Sequence, residues 1–520
     1  MKRLGPVLQF LGCAQGQWRV SALWVQDSAD AVPVLTAGGR PVQVTQAPVP
    51  GQACTAWRFE FAVAQGAAAQ DVGYSIGGEV HAFCVPARDT LPALGYASCN
   101  GFSDPRAMKS VKAPYAQWAR LARLHRGQER VEGQTHGPLH LLLLGGDQVY
   151  SDAMWVMVPE LKAWSALPWD KRLKAAFTAG LRRKVEEFFG KLYLERWSQP
   201  EVAAALASLP TVMMWDDHDI MDGWGSYPVE QHQCAVYQGI FEVARAAFAL
   251  FQRQAIGALP PATLPGQDQH NSACRIGALG LLVLDMRSER CPRATRTQDG
   301  VELLQAEQVL SPRSWAAVYQ WLAEQEAAGG LRHLFVMSSV PVVHPGLELI
   351  EKLLGALPGQ QEMEDDLRDH WDSPPHRAER LRLIHRLLQL SARGVRVTLL
   401  SGDVHVAALG VIESAREDGG EGNARIINQL TSSAIVHPPS SAMEVFVLEH
   451  VARHVEQIDR GISTRMLEFP ATSHCVMARR NFLTLQPDAP DGAGRYWANW
   501  WVEGEPHPYT KVIHPAGAPA

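Results

Sequence analysis

The chain has 520 residues, 46 % hydrophobic and 20 % charged, a globular balance that excludes an intrinsically disordered protein. Its formal charge of −6 gives no reason to expect a nucleic-acid partner, and no apolar run approaches the ~18 residues of a membrane span. At this length two or three domains are expected rather than one core.

The first segment, MKRLGPVLQFLGCAQGQ, joins two basic residues, a short apolar stretch and Leu11-Gly12-Cys13, which suggests a lipoprotein signal. Pro6 and Gln9 interrupt the apolar stretch, so the preferred reading is a first strand, kept in a cytoplasmic protein. Through residue 88 the pattern is short alternating or apolar segments (QWRVSALWV, AWRFEFAVA, VHAFCV) between Gly and Pro clusters, which predicts a small antiparallel β-sandwich domain over 1–88. The Pro-containing stretch that follows reads as a linker into a second domain, 89–515.

From residue 94 apolar strands alternate with helices. The strands are LGYASC, LHLLLLGGD, TVMMWDD, LGLLVLDMR, HLFVMSSVPVV and VRVTLLSGDVH. Helical periodicity runs near 115–127, 157–165, 170–197, 229–255, 303–327 and 376–393, the last stopping before Gly394. Apolar strands alternating with helices predict an α/β fold with helices covering the sheet. After residue 425 ARIINQLTSSAI, RNFLTLQ and GRYWANWWVEG read as strands of a second sheet. The eight cysteines show no CxxC spacing, which excludes a zinc framework and argues against a disulfide one.

The strands end on polar clusters: Cys99-Asn100, Asp147 with Tyr150, Asp216-Asp217-His218-Asp219, Asp285 with Arg287, and Asp403 with His405. Ligand sites of open α/β sheets lie beyond the carboxyl ends of the strands, so these groups are expected to converge. Acids packed so densely repel unless cations neutralise them. Carboxylates with imidazole and phenol suit Fe, Mn, Zn or Ca. Taken singly, GGDQVYSD could be an Asp-capped turn, SGDVH a helix cap, Cys99 a core thiol, and Arg287 an ion-pair partner of Glu289 or Asp285. The ordered set carries the argument. Ser432 and Ser433 lie in no nucleophile-elbow context, which disfavours serine catalysis.

In the order ASCN, GGDQVYSD, WDDHDI and SGDVH, with LDMRSER between, the chain resembles the PhoD-type alkaline phosphatase branch of the metallophosphoesterase superfamily, which is calcineurin-like and purple-acid-phosphatase-like. The resemblance implies a four-layer αββα sandwich behind the amino-terminal domain, and phosphate-ester hydrolysis by in-line attack of a metal-bound hydroxide. It implies that Asp147 bridges two cations, that Cys99, Tyr150 and His405 complete the shell of a ferric-type ion, and that Asp217 and Asp403 face a second, Ca2+, with Mn2+ or Zn2+ as alternatives. His218 would contact the phosphate or the leaving oxygen, Asp219 would orient it, and Asn100 and Arg287 are candidate phosphate contacts. No twin-arginine export signal of the secreted members is read in the sequence, so a role in extracellular phosphate scavenging is not expected. The middle motif falls on Ser338, Ser339 or His344, and His437 is set at the rim. The competing readings are a non-catalytic phosphoryl-ligand-binding module on the same fold and a different binuclear metal hydrolase. The partner expected is a small phosphate ester, mono- or diester, with no nucleic-acid surface and no membrane span.

Overall fold

The computed structural model describes residues 1–131, 134–257, 259–298, 301–305, 307–344, 371, 376–416, 425–488 and 493–517. Two large sheets organise them. In the ten-stranded sheet the order is Tyr509–Ile513, Tyr496–Val502, Asn481–Pro487, Leu94–Ala97, Leu141–Gly145, Thr211–Met214, Lys2–Ala14, Gln17–Asp27, Cys54–Ala64 and Val44–Pro48. Its middle is parallel: Leu141–Gly145 pairs with Leu94–Ala97 on one side and Thr211–Met214 on the other. Leu141 to Leu144 are all buried, as four consecutive leucines require of a strand covered on both faces.

The nine-stranded sheet also has a parallel core, formed by Leu279–Val283, His333–Met337, Arg396–Ser401 and Ile426–Thr431. Its side chains alternate with the pleat. Leu281, Val283, Phe335 and Met337 join the core shared with the ten-stranded sheet, while Leu282, Leu334 and Val336 join a second core. The Arg377–Ala392 helix packs over that second face, against Arg396–Ser401 and Ile426–Thr431. Helices Ala179–Trp197 and Pro200–Leu206 pack against Lys2–Ala14 of the other sheet. Caps follow the sequence: the Thr178 hydroxyl accepts from the Leu181 amide, and Ser311 with Pro312 opens the Pro312–Ala328 helix.

Three expectations need correction. Residues 1–88 do not form a lobe separate in hydrogen bonding: Lys2–Ala14 pairs in parallel with Thr211–Met214, placing Gln9 opposite Thr211. A four-stranded sheet (Leu35–Ala37, Arg40–Pro41, Gln70–Ile76, Glu79–Val85) packs on this part through Phe61, Tyr74 and Phe83. Lys2–Ala14, Gln17–Asp27, Cys54–Ala64 and Val44–Pro48 are thus the edge of the ten-stranded sheet. Second, Asn481–Pro487 and Tyr496–Val502 join the ten-stranded sheet, not the sheet of Ile426–Thr431, because Leu483 and Leu485 pair with Tyr96 and Leu94. Third, the helix expected from 303 starts at Pro312, since Val301–Gln305 pairs as a hairpin with Ala294–Gln298. No helix among the described residues is long and apolar enough to cross a membrane.

Candidate metal centre

The carboxyl ends of the two parallel cores meet, and the approach is close enough to dictate residue types. A Cβ on Gly402, after Arg396–Ser401, would collide with the Ser98 hydroxyl, after Leu94–Ala97. Gly146 has φ +111°, and a Cβ there would lie 2.7 Å from that of Asp216. Among the described residues eight non-glycine positions have positive φ, and four are Cys99, Asp147, Asp403 and His405. Such backbone costs roughly 1–3 kcal/mol per residue and persists where the surroundings impose it. Here it turns each side chain off its strand end into a common space.

Three groups of donor atoms lie there, each within 4.8 Å of one another: Cys99, Asp147 and His405; Asp147, Asp217 and His218; and Asp216, Asp217 and Asp403. Asp147 belongs to two of them. Its Oδ2 accepts from the Cys99 thiol at 3.5 Å and the Tyr150 hydroxyl at 3.3 Å, while the buried Oδ1 has no hydrogen-bond partner. Asp217 Oδ2 accepts from the Gly223 amide at 2.8 Å, and its buried Oδ1 likewise has no hydrogen-bond partner. The orphaned Asp147 oxygen, with the neighbouring carboxylates, a thiol and imidazoles converging in a buried space, fits cations.

Electrostatics agree. Burial, followed by Asp217, Asp216 and Asp219, raises the Asp147 carboxyl well above its ordinary range, opposed by His218. Burial and then Asp147 push the Cys99 thiol up, and burial and then Cys99 do the same to the Tyr150 phenol. Burial, His437 and His218 hold His405 well below 6.5, which leaves a neutral imidazole suited to ligation. Its Nε2 lies 3.1 Å from the Tyr150 oxygen.

Several sequence assignments change. Asp219 does not orient His218. Its Oδ1 accepts from the Gln148 and Val149 amides at 3.1 Å and its Oδ2 from the Asp216 amide at 2.9 Å, so it ties the two site turns together. Asp152, given no role from sequence, is the partner of His218, with Oδ2 2.6 Å from Nδ1. Burial alone would lower His218, but Asp152, then Asp217 and Asp147, raise it well above 6.5. Arg287 is fully buried, donating from Nε to Asp216 and from Nη1 to the Trp224 carbonyl at 3.1 Å, with Nη2 3.4 Å from Asp217. It therefore braces the acids rather than offering its fork to a ligand. Asn100 is also committed internally: Trp118 donates to its Oδ1 at 2.8 Å, and its Nδ2 reaches the Gln148 carbonyl at 3.4 Å.

Asp216, one of the acids of the DDHD run, and Ser339, one of three candidates for the middle motif, meet in the site. Ser339 Oγ donates to Asp216 Oδ1 at 2.9 Å, which gives the middle motif a role through its second serine. His437 stacks on His405 with centroids 3.9 Å apart, and its Nε2 lies 3.2 Å from the Ser103 hydroxyl. The signal for Asp216 was present in the DDHD run; the one for Asp152 was only its place five residues after Asp147. Trp224 is buried against Phe241, a packing role.

Known proteins bear on this geometry. A solved structure titled "Structure of PhoD" superposes with a TM-score of 0.52 at 12 % identity, covering 98 % of this chain and 88 % of that one, which shows a shared fold. The uncharacterized protein YGR266W of Saccharomyces cerevisiae is 26 % identical over 480 residues, covering 76 % of this chain. The chain spans 65 % of that relative's length. The family model described as PhoD related phosphatase matches residues 128–358 and 354–458, well over half of the chain and most of the centre just described. The chain belongs to the PhoD-related phosphatases.

Proposed function

We propose that the chain is a metal-dependent phosphoesterase that hydrolyses phosphate mono- or diesters, using two cations, Fe3+ with Ca2+. The paired sheets with helices outside them are read as the four-layer αββα sandwich of metallophosphoesterases. The observation that carries the proposal is the position of Asp147, which keeps an unpaired oxygen and lies with Cys99 and His405 in one donor group and beside Asp217 in another. Cys99, Tyr150 and His405 offer sulfur, phenol and imidazole to the harder, ferric-type ion. Asp217 and Asp403, with Asp216, offer carboxylates to the second. When bound, the cations supply Lewis acidity, which activates a water and offsets phosphate charge.

The chain's own residues do the rest. His218, held protonated and aimed by Asp152, gives its proton to the leaving oxygen from Nε2. Arg287 and Ser339 hold Asp216 in place, and Asp219 fixes the turn that presents Asp217 and His218. The eight free thiols suit a reducing compartment.

The test is elemental analysis of purified protein alongside turnover of an aryl phosphate. Two metal equivalents with hydrolysis are expected. A metal-free protein from iron- and calcium-replete preparation refutes the reading, as does phosphate-ester binding with no turnover across a broad metal screen.

A further inference from the structure

Many of the large apolar side chains that the fold leaves exposed lie on three segments leaving the metal centre. Ser103, beside His437, leads into the Pro105–Ser110 helix, where Met108 is 51 % exposed. Asp152, bonded to His218, leads into Met154–Met157, where Met157 is 58 % exposed, and the same stretch later turns out Trp169. His437, stacked on His405, leads into the Ala442–Ala452 helix, where Met443 and Phe446 are 65 % and 71 % exposed. Met443 and Phe446 are three apart and share a helix face. The bases of the segments are joined within the centre, since Tyr150 stacks between His218 and His437 with centroids 4.3 and 5.3 Å away.

Charge accompanies the apolar groups. Exposed Arg106, Lys109 and Lys112 surround Met108, and exposed Lys162, Lys171 and Lys174 flank Trp169. Asp104, Glu160 and Asp170 are the only acids of stretches 104–112 and 154–174, so these two segments are basic in a chain of net charge −6, while Ala442–Ala452 carries Glu444 and Glu449 beside its apolar groups. Protruding apolar side chains interleaved with lysines complement a layer that has an apolar interior beneath anionic headgroups. We propose that the rim of the metal centre docks onto the surface of an anionic phospholipid bilayer, with Met108, Met157, Trp169 and Phe446 entering the headgroup boundary and the basic side chains pairing with lipid phosphates. Since no described helix can cross a bilayer, the contact is interfacial. The docking is independent of what the centre hydrolyses.

The test is sedimentation of the full chain with vesicles of phosphatidylcholine alone and of phosphatidylcholine mixed with phosphatidylserine. Binding is expected with the mixed vesicles and is weakened by salt. Met157→Glu combined with Phe446→Glu lowers the bound-to-free ratio by roughly tenfold or more per residue, with thermal midpoint and turnover of a soluble aryl phosphate unchanged. Protein left in the supernatant with mixed vesicles at low salt overturns the proposal. So does a double variant that sediments like the parent, or a self-association that the variant abolishes without any vesicle binding. Hydrolysis by a chain that ignores vesicles removes the docking alone. Vesicle binding by a chain without hydrolysis removes only the phosphoesterase reading.

Discussion

Replacing Asp152 with Asn keeps the shape of the side chain and removes its charge. In the structure Asp152 Oδ2 sits 2.6 Å from His218 Nδ1, and Oδ1 accepts from the Asp222 amide at 2.9 Å. The amide variant can still serve the second contact, so the turn should stand. A hydrogen bond to a charged group contributes about 1.5–3 kcal/mol, which at about 1.4 kcal/mol per tenfold corresponds to roughly 10–150-fold. That loss should appear only where His218 has to give a proton. An alkyl phosphate, whose leaving alkoxide must be protonated, should lose roughly 10–150-fold in kcat. An aryl ester with an acidic phenol should lose only a few-fold. The pH profile supplies the sign. His218 is held above 6.5, so with metal kept saturating alkyl-ester turnover should hold at neutral pH and fall as pH rises through the raised value. In Asp152→Asn that fall should come at lower pH. Equal losses on both esters with an unmoved profile would show that Asp152 is merely structural and refute the assignment.

Gly146→Ala should cost about 1–3 kcal/mol of stability and most of the bound metal, because its Cβ would press on Asp216 from a φ of +111°; thermal unfolding and elemental analysis check both. Tyr150→Phe should shift or bleach the visible charge-transfer band of ferric protein, and an unchanged spectrum removes Tyr150 from the ligand set. Metal affinity by competition titration should rise with pH, because burial keeps the Cys99 thiol and the Asp147 carboxyl protonated until a cation displaces the proton. Burial would raise Glu456, but Arg380, 3.1 Å away, and Thr464 hold it below its ordinary range. Its stabilisation is therefore full above the unfolded carboxyl value and lost as pH falls through the lowered one. Glu456→Gln should cost about 1 kcal/mol at neutral pH, discounted for partial exposure, and nothing in acid, as read by denaturant unfolding at both pH values.

The strands were legible because their apolar runs are long and end abruptly on polar residues. Leu141–Gly145 followed by Asp147 and Tyr150 is an example, and the Arg377–Ala392 helix was equally plain from its leucine spacing. Which strand pairs with which was not legible. Alternation in Lys2–Ala14 or Asn481–Pro487 specifies two faces and says nothing of the neighbour. The site followed the same division. Asp147, Asp217, Asp403 and His405 announce themselves by residue type at strand ends. The Asp152–His218 pair, the burial of Arg287 against Asp216 and the capping by Asp219 depend on how two turns from distant parts of the chain fit together. A charged residue near a site reads from sequence as a ligand contact, and only burial reveals it as a brace.

The single parallel pairing of Gln9 with Thr211 has a practical consequence for anyone trimming the protein. The Thr211 hydroxyl also donates to the Leu8 carbonyl at 2.7 Å, and the Gln9 side chain reaches the Gln252 carbonyl at 3.0 Å. Cutting after residue 88 would not release a passenger domain. It would turn Thr211–Met214, the strand that delivers Asp216, Asp217 and His218, into an exposed edge with unpaired backbone and an uncovered apolar flank, a template for aggregation. The stretch from residue 89 onward is thus not a portable unit, and a fragment beginning at the linker should be recovered as insoluble material rather than as a smaller folded protein.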